Sequence, residues 1–517
     1  MPPLRHLRPL PAGLALLALL RLPSFFEPAW YTDEAGYATA ARALLEGRGL
    51  YSQIWSNKPP LQTWAVAAVV RLLGTSEAAL HTLTLLTGAL TVAAVAYAAR
   101  RLMSHRRALA AVLGTALVLG LPVTGAQLIV PDSLLIAATA WAGALLIPRL
   151  TGVTPTAGGR AWPVVTGVLA ALAVAVQQTA VADAAAFGLM ILLGPRGGPR
   201  PLLAYAATVV GITAAWVAAY WALVGGHRLA FALLGFYGQY SADALPVSTA
   251  ERVVHGVLLG GTFALLLAGA WLSRRSSRPL WMVWLWAGAS LLVPAAANQP
   301  YAHLLIPSVA PAALALAAGL RRPSWLRLRT SESLRAAPLA AGALLAAGQA
   351  SVAGFDWDPL ALLGIQTPRP TLGTYYLGGL RVLLGREERI TWEVDFDDRV
   401  LADRRTSDWI RGHGWSGHRA VVWSSDAWPY LLADLPLLLP TAPIYNDIVL
   451  YGSHQALADR VAALDPELIL TQDFDLVQFP EITPLLQRRY RQVLADFPDA
   501  VWIRNDLPPS APRRQLP

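Results

Sequence analysis

The chain of 517 residues has no cysteine, one lysine and few charges for its length. The missing thiols exclude disulfides and thiolate chemistry and leave the compartment open. Charged residues make up 14% of the chain, against about 25% in an ordinary soluble domain. With 55% hydrophobic residues and a mean hydropathy of +0.44, much of the chain must meet lipid rather than water. Acidic residues are scarcest where apolar residues are densest: ten of the 32 fall in the first 350 residues and 18 after residue 389. The net charge of +9 is therefore not a basic groove for nucleic acid. Of the 41 basic residues, 40 are Arg, and Lys58 is the one Lys. A GC-biased genome would account for the Arg excess and for the abundant Ala, Gly and Pro. The sequence contains no GxGxxG, no P-loop, no nucleophile elbow, no HExxH and no paired-His spacing for zinc.

What is present is a series of apolar runs, many near the roughly 20 residues a spanning helix needs. They lie near 9–28, 78–99, 108–125, 131–148, 162–179, 181–194, 201–224, 253–273, 280–297, 302–320 and 336–354. The first has the basic start of a secretory signal but no small-x-small cleavage site, so it is read as an uncleaved span. Arg21 inside it is expected to snorkel from near the helix end. Alternate connections are rich in Arg: 100–107, 149–160, 194–200, 274–278 and 321–329. The opposite ones have almost none. By the positive-inside rule the Arg-rich set and the N-terminus are cytoplasmic, and the 29–77 loop and everything after 355 are outside.

The expected architecture is an α-helical polytopic membrane protein of about 11 spans with a C-terminal extracytoplasmic α/β domain. A transmembrane module covers 1–354, a Pro/Gly-rich linker 355–389, the α/β domain 390–506 and a disordered tail 507–517. Strands are expected at 420–425, 467–472 and 500–504, from short buried apolar runs. DRVLADRRTSDWIRG, HQALADRVAALD and EITPLLQRRY are read as amphipathic helices between them.

The outer loop 29–77 carries the chemistry. Thr32 is a plausible N-cap for a helix that Gly47 ends, which places Asp33 and Glu34 in the first turn. Such carboxylates complement the helix dipole, and that alone would explain them; Asp33 is accordingly expected to have a low pKa. Pro59 and Pro60 start an interfacial helix over 59–73. Lys58 then precedes it, flanked by Trp55 and Trp64, where a cation can meet a lipid phosphate or simply snorkel in an aromatic belt.

Together, DEAGYATAARALLEGRGLYSQIWSNKPPL resembles the first outer loop of GT-C-fold glycosyltransferases, such as the lipid A aminoarabinose transferases and the protein O-mannosyltransferases. IVPDSLL (129–135) is similar to their second outer turn, and NQPYAHLLIPSVAPAALAL (298–316) looks like the segment entering a late span. The resemblance implies transfer of a sugar from a polyprenyl-phosphate carrier to a polysaccharide, lipid or protein acceptor of the envelope. It implies Asp33 as the catalytic carboxylate, Glu34 and Tyr37 as its neighbours, Lys58 as the phosphate contact, and Asp132, Tyr301 and His303 as cavity residues. Gly36 stands where some relatives carry an Arg, so a phosphate contact is expected from Arg42 or another residue. Leu304 follows His303 where a second aromatic is commoner. The carrier is already activated, so no nucleotide cofactor is required. A divalent ion between Asp33, Asp132 and His303 is an alternative way to hold the phosphate.

The weaker candidates are Asp183, Gln177, Gln178, His227, His255 and His454, whose ordinary roles are turn or structural ones. Two competing classes are a transporter or flippase for a lipid-linked or anionic solute, and a non-catalytic assembly protein. The first should show inverted repeats and polar residues at mid-membrane, whereas here the polar residues gather at the outer ends and no halves match.

Overall fold

The computed structural model describes residues 8–153, 161–236, 281–292, 302–319, 372–397 and 399–511. In chain order its first helices are α1 (Pro9–Arg21), α2 (Thr32–Leu45), α3 (Pro60–Leu73), α4 (Glu77–Leu102), α5 (His105–Gly120), α6 (Pro131–Leu150), α7 (Trp162–Val176), α8 (Val181–Leu193) and α9 (Pro199–Val224). Further helices follow at Trp281–Ser290 and Val309–Gly319. Among the described residues, four helical stretches are long and apolar enough to cross a membrane: Pro9–Phe26, Glu77–Leu102, Pro131–Leu150 and Pro199–Val224. Shorter apolar helices match the expected runs between them. The expected spans near 253–273 and 336–354 lie outside the described residues.

The chain divides into two compact units. The first comprises Met1–Phe25, His81–Tyr220 and Val247–Leu372. It is helical, and in an apolar surrounding its polar side chains must find partners within the bundle. Tyr205 of α9 donates to the Ala184 carbonyl of α8 at 2.7 Å. Phe187 of α8 packs against Trp286, with ring centroids 5.5 Å apart. Arg21 departs from expectation. Instead of snorkelling it is buried, and its Nη2 donates to the Ala126 carbonyl at 2.6 Å. Its length lets it cap an irregular turn rather than reach for water.

The second unit comprises Phe26–Leu80, Trp221–Pro246 and Gly373–Pro517. Its sheet contains β1 (Ala420–Trp423), β2 (Leu468–Gln472), β3 (Tyr490–Asp496) and β4 (Asp499–Arg504), in the order β1-β2-β4-β3. β1 and β2 are parallel and wholly buried, as continuous apolar runs require. The crossover between them holds the helices Ile444–Tyr451 and His454–Leu464. Ser453 caps the latter by accepting from the Ala456 amide at 3.1 Å. β3 and β4 form an antiparallel hairpin. β3 was not expected. The run EITPLLQRRY reads as a helix and is one only over Thr483–Arg489; from Tyr490 the chain turns into a half-exposed strand.

At the carboxyl ends of β1 and β2 sits a set of buried acids. Gln472 donates to Asp403 at 3.0 Å and accepts from Ser424 at 2.6 Å. Asp426 and Asp499 lie beside Asp403. Burial raises the Asp499 carboxyl to about 7, and the neighbouring Asp426 adds to the shift. Such a group binds its proton more tightly folded than unfolded, so folding is favoured at low pH and loses that advantage as pH rises through the folded value. Thermal unfolding should therefore give a lower midpoint at pH 8 than at pH 5.5, and Asp499→Asn should narrow the gap by raising the pH 8 midpoint. An unchanged gap would contradict this.

Candidate functional site

The N-terminal half of the second unit is built around α2. Its N-cap is Tyr31 and no side chain caps it, so Thr32 does not do what its type suggested. Asp33 and Glu34 fall in the first turn, as expected. Glu34 is buried and Asp33 half-buried. The helix ends at Glu46, and Gly47 takes φ +91°, a conformation that costs glycine no Cβ clash.

The return from α2 to Lys58 is set by Tyr51. It has φ +63° and is buried. Its hydroxyl donates to the Lys58 carbonyl at 2.6 Å and its amide to the Ile54 carbonyl at 2.6 Å. The Lys58 amide in turn donates to Ser56 Oγ at 3.1 Å. Pro60 then opens α3, within a residue of the expected start. The two tryptophans do not flank Lys58 as a matched belt: Trp55 is buried against Phe231 and Phe236, at 5.5 and 5.8 Å, and Trp64 is exposed.

This loop brings Asp33 and Lys58 into electrostatic contact. The carboxyl of Asp33 is pushed above its ordinary value by burial, and it is drawn back by the Lys58 ammonium and by a hydrogen bond from Tyr445. The expectation of a low pKa is thus overturned. A helix N-terminus contributes a partial charge, but withdrawing a carboxylate from water costs more than that dipole returns.

Tyr445 was not foreseen. Its hydroxyl donates to Asp33 Oδ1 at 3.3 Å across 412 residues of sequence. The segment before it is bound to the loop at several points. Arg42 donates to the Tyr430 carbonyl at 3.0 Å, to the Leu435 carbonyl and to Asp434 at 3.3 Å. Arg48 donates to the carbonyls of Leu437 and, at 3.3 Å, Leu439. The Trp55 amide donates to the Pro440 carbonyl at 2.8 Å. Gly36, where some relatives carry an Arg, faces Pro443: a Cβ there would lie 3.4 Å from the proline ring. The one sequence signal for this segment is TAPIYND, a proline-led helix start with a tyrosine in its first turn. Nothing local tells which loop it meets. Tyr37, half-exposed, lies one turn along α2 from Asp33.

In the first unit, Asp132 occupies the first turn of α6 behind Pro131 and is buried. Asp183 begins α8, is buried, and accepts from Ser290 Oγ at 2.6 Å. Both line a small cavity with Thr179, Ser290 and Pro307. His303 lies half-buried in the 3-10 turn Ala302–Ser308, beside Gly125. Tyr301 and His255 lie outside the described residues. His227 is exposed, and His454 meets Glu481 at 3.3 Å and the Phe479 ring. Among the described residues, no group of three or more His, Asp or Glu side chains is arranged to hold a metal ion.

Residues 57–221 match the family described as Dolichyl-phosphate-mannose-protein mannosyltransferase. The structure is similar to the crystal structure of ArnT from Cupriavidus metallidurans bound to undecaprenyl phosphate, with a TM-score of 0.60 and 16% identity. That match covers 97% of this chain and 99% of the other. The apo state of the same protein gives a TM-score of 0.60 at 16% identity, covering 95% and 98%. No curated protein matches the sequence.

Proposed function

From the GT-C glycosyltransferase fold that this chain has, we propose that it transfers a sugar from a polyprenyl-phosphate carrier to an envelope acceptor at the outer face of the cytoplasmic membrane. The observation that carries this reading is the electrostatic coupling of Asp33 with Lys58 on one loop: the chain's one lysine ammonium acts on the carboxyl of the first turn of α2. The Arg-rich connections, read by the positive-inside rule, support an outer position for that loop.

The chemistry follows from those two charges. The acceptor hydroxyl attacks the anomeric carbon as the bond to the carrier oxygen breaks, and the electron pair leaves on the phosphate. Asp33 takes the hydroxyl proton as bonding to carbon makes it acidic. Lys58 stabilises the charge growing on the phosphate. One carboxylate suffices for a single inverting displacement. A second is needed in sugar hydrolysis to protonate a poor leaving group, and a phosphate leaves without that help. Glu34 and Tyr37, on the same helix as Asp33, would shape the sugar and acceptor sites; the cavity roles of Asp132, Tyr301 and His303 rest on the family resemblance alone. The donor is already activated, so no resident metal is invoked, and chelation is expected to leave turnover unchanged.

The test is the purified chain in liposomes with a synthetic polyprenyl-phosphate sugar, scored for free carrier phosphate and for glycosylated acceptor from an envelope extract. Coupled appearance of both supports the reading. Movement of intact lipid-linked sugar between leaflets with no release of carrier would favour a flippase instead.

A further inference from the structure

We propose that Tyr445, from the C-terminal α/β segment, is a positioning residue for Asp33, so that this segment is a working part of the reaction centre; the proposal rests on the glycosyltransferase reading above. Three observations carry it. First, the Tyr445 hydroxyl donates to one oxygen of Asp33, Oδ1, at 3.3 Å. That ties one carboxylate oxygen of Asp33 to the α/β segment.

Second, the backbone that carries Tyr445 is held in place. It lies in the first turn of the helix Ile444–Tyr451, behind Pro443. That turn is held by Thr441 Oγ1, which donates to the Pro443 carbonyl at 2.8 Å, and by buried Asp447, which accepts from the Thr441 amide at 3.3 Å. Third, the segment leading to it is fastened to the same loop that carries Asp33. The guanidinium groups of Arg42 and Arg48 satisfy main-chain carbonyls at 430, 435, 437 and 439, and Gly36 lies flush against Pro443. A guanidinium with several donors in a fixed fork is well suited to hold a bare stretch of carbonyls. Arg42, a candidate phosphate contact by sequence, is engaged in this fastening.

A tyrosine in this position orients the base and favours its ionised form, because a hydrogen bond to the charged state stabilises it. The groups that face Asp33 are the Lys58 ammonium and the Tyr445 hydroxyl, with Glu34 beside it on its own helix. Removing the hydroxyl leaves burial less opposed.

Steady-state transfer by Tyr445→Phe is the test, with wild type and Asp33→Asn run in parallel. The expected result is a fall in kcat of about tenfold, well short of the full loss of a general base. The acid limb of the kcat/KM profile should move to higher pH, and KM for the lipid donor should stay within about twofold. Difluorotyrosine at position 445, a stronger donor, should move the limb the other way. A merely structural tyrosine would lower activity without moving the limb in opposite directions; limbs that stay in place overturn the proposal. If wild type transfers nothing, the glycosyltransferase reading fails separately. The Asp33 carboxyl band, isolated by infrared difference against Asp33→Asn, still reports on the hydrogen bond in that case. Its titration should shift to higher pH in Tyr445→Phe, and an unshifted titration again overturns the role.

Discussion

Asp33→Asn is expected to lower transfer by about 10²- to 10⁴-fold, the range for losing a positioned general base. The substitution is nearly isosteric. An Asn oxygen can still accept from the Tyr445 hydroxyl, so α2, the 49–58 turn and the 430–445 segment should hold their places. What disappears is the group that takes the acceptor proton, together with the charge opposing Lys58. The loss should fall on kcat rather than on the KM of the lipid donor, because the proton is transferred only as the new bond forms. Single-turnover transfer in liposomes, with folding checked by thermal unfolding, separates these. A variant that transfers at the wild-type rate would remove Asp33 from the mechanism.

Lys58→Ala is expected to reduce kcat/KM for the polyprenyl-phosphate donor by about 10²- to 10³-fold, comparable with losing one preorganised donor to a developing oxyanion. Much of the effect should show as weaker donor binding, since the carrier phosphate is charged before and after reaction. A second effect separates this lysine from an ordinary snorkelling one. The ammonium draws the Asp33 pKa down against burial, so its removal should raise that pKa and move the acid limb of the rate profile to higher pH. Even in wild type, burial should set that limb above the ordinary aspartate value of about 3.9. Intact donor affinity and an unmoved limb in Lys58→Ala would contradict the phosphate role.

Much of this architecture was legible because its causes are local. Apolar runs located the described helices of the first unit. The proline pair placed the start of α3, and Gly47 the end of α2. The short apolar runs at 420–425, 467–472 and 500–504 read as strands, and the chain forms them over Ala420–Trp423, Leu468–Gln472 and Asp499–Arg504. β3 escaped because it is a half-exposed hairpin strand whose Arg, Gln and Asp residues continue the polar pattern of the helix before it. Arg21 misled for a related reason: hydropathy says that a charge is costly in a span, and says nothing of a carbonyl 105 residues away that accepts from it.

The candidate site was legible only in part. Asp33 and Lys58 lie 25 residues apart on one loop, so their meeting follows from a short hairpin-like path. Tyr445 lies 412 residues from Asp33, and Arg48 looked like one Arg among 40. Their roles depend on which distant backbone they meet, which no spacing encodes. The acidity of Asp33 failed on the same ground. Sequence places a carboxylate at a helix start, whereas its burial is decided by the chain that packs over it.

The proposed outward position of this loop can be tested most directly through the missing cysteines, which give a blank background for labelling. In spheroplasts expressing Asn57→Cys, a membrane-impermeant maleimide should react without permeabilisation. In the purified protein, added polyprenyl phosphate should slow that reaction at the residue beside Lys58. Labelling that requires opened membranes, and that the lipid leaves unaffected, would place this loop on the wrong side and away from any lipid phosphate.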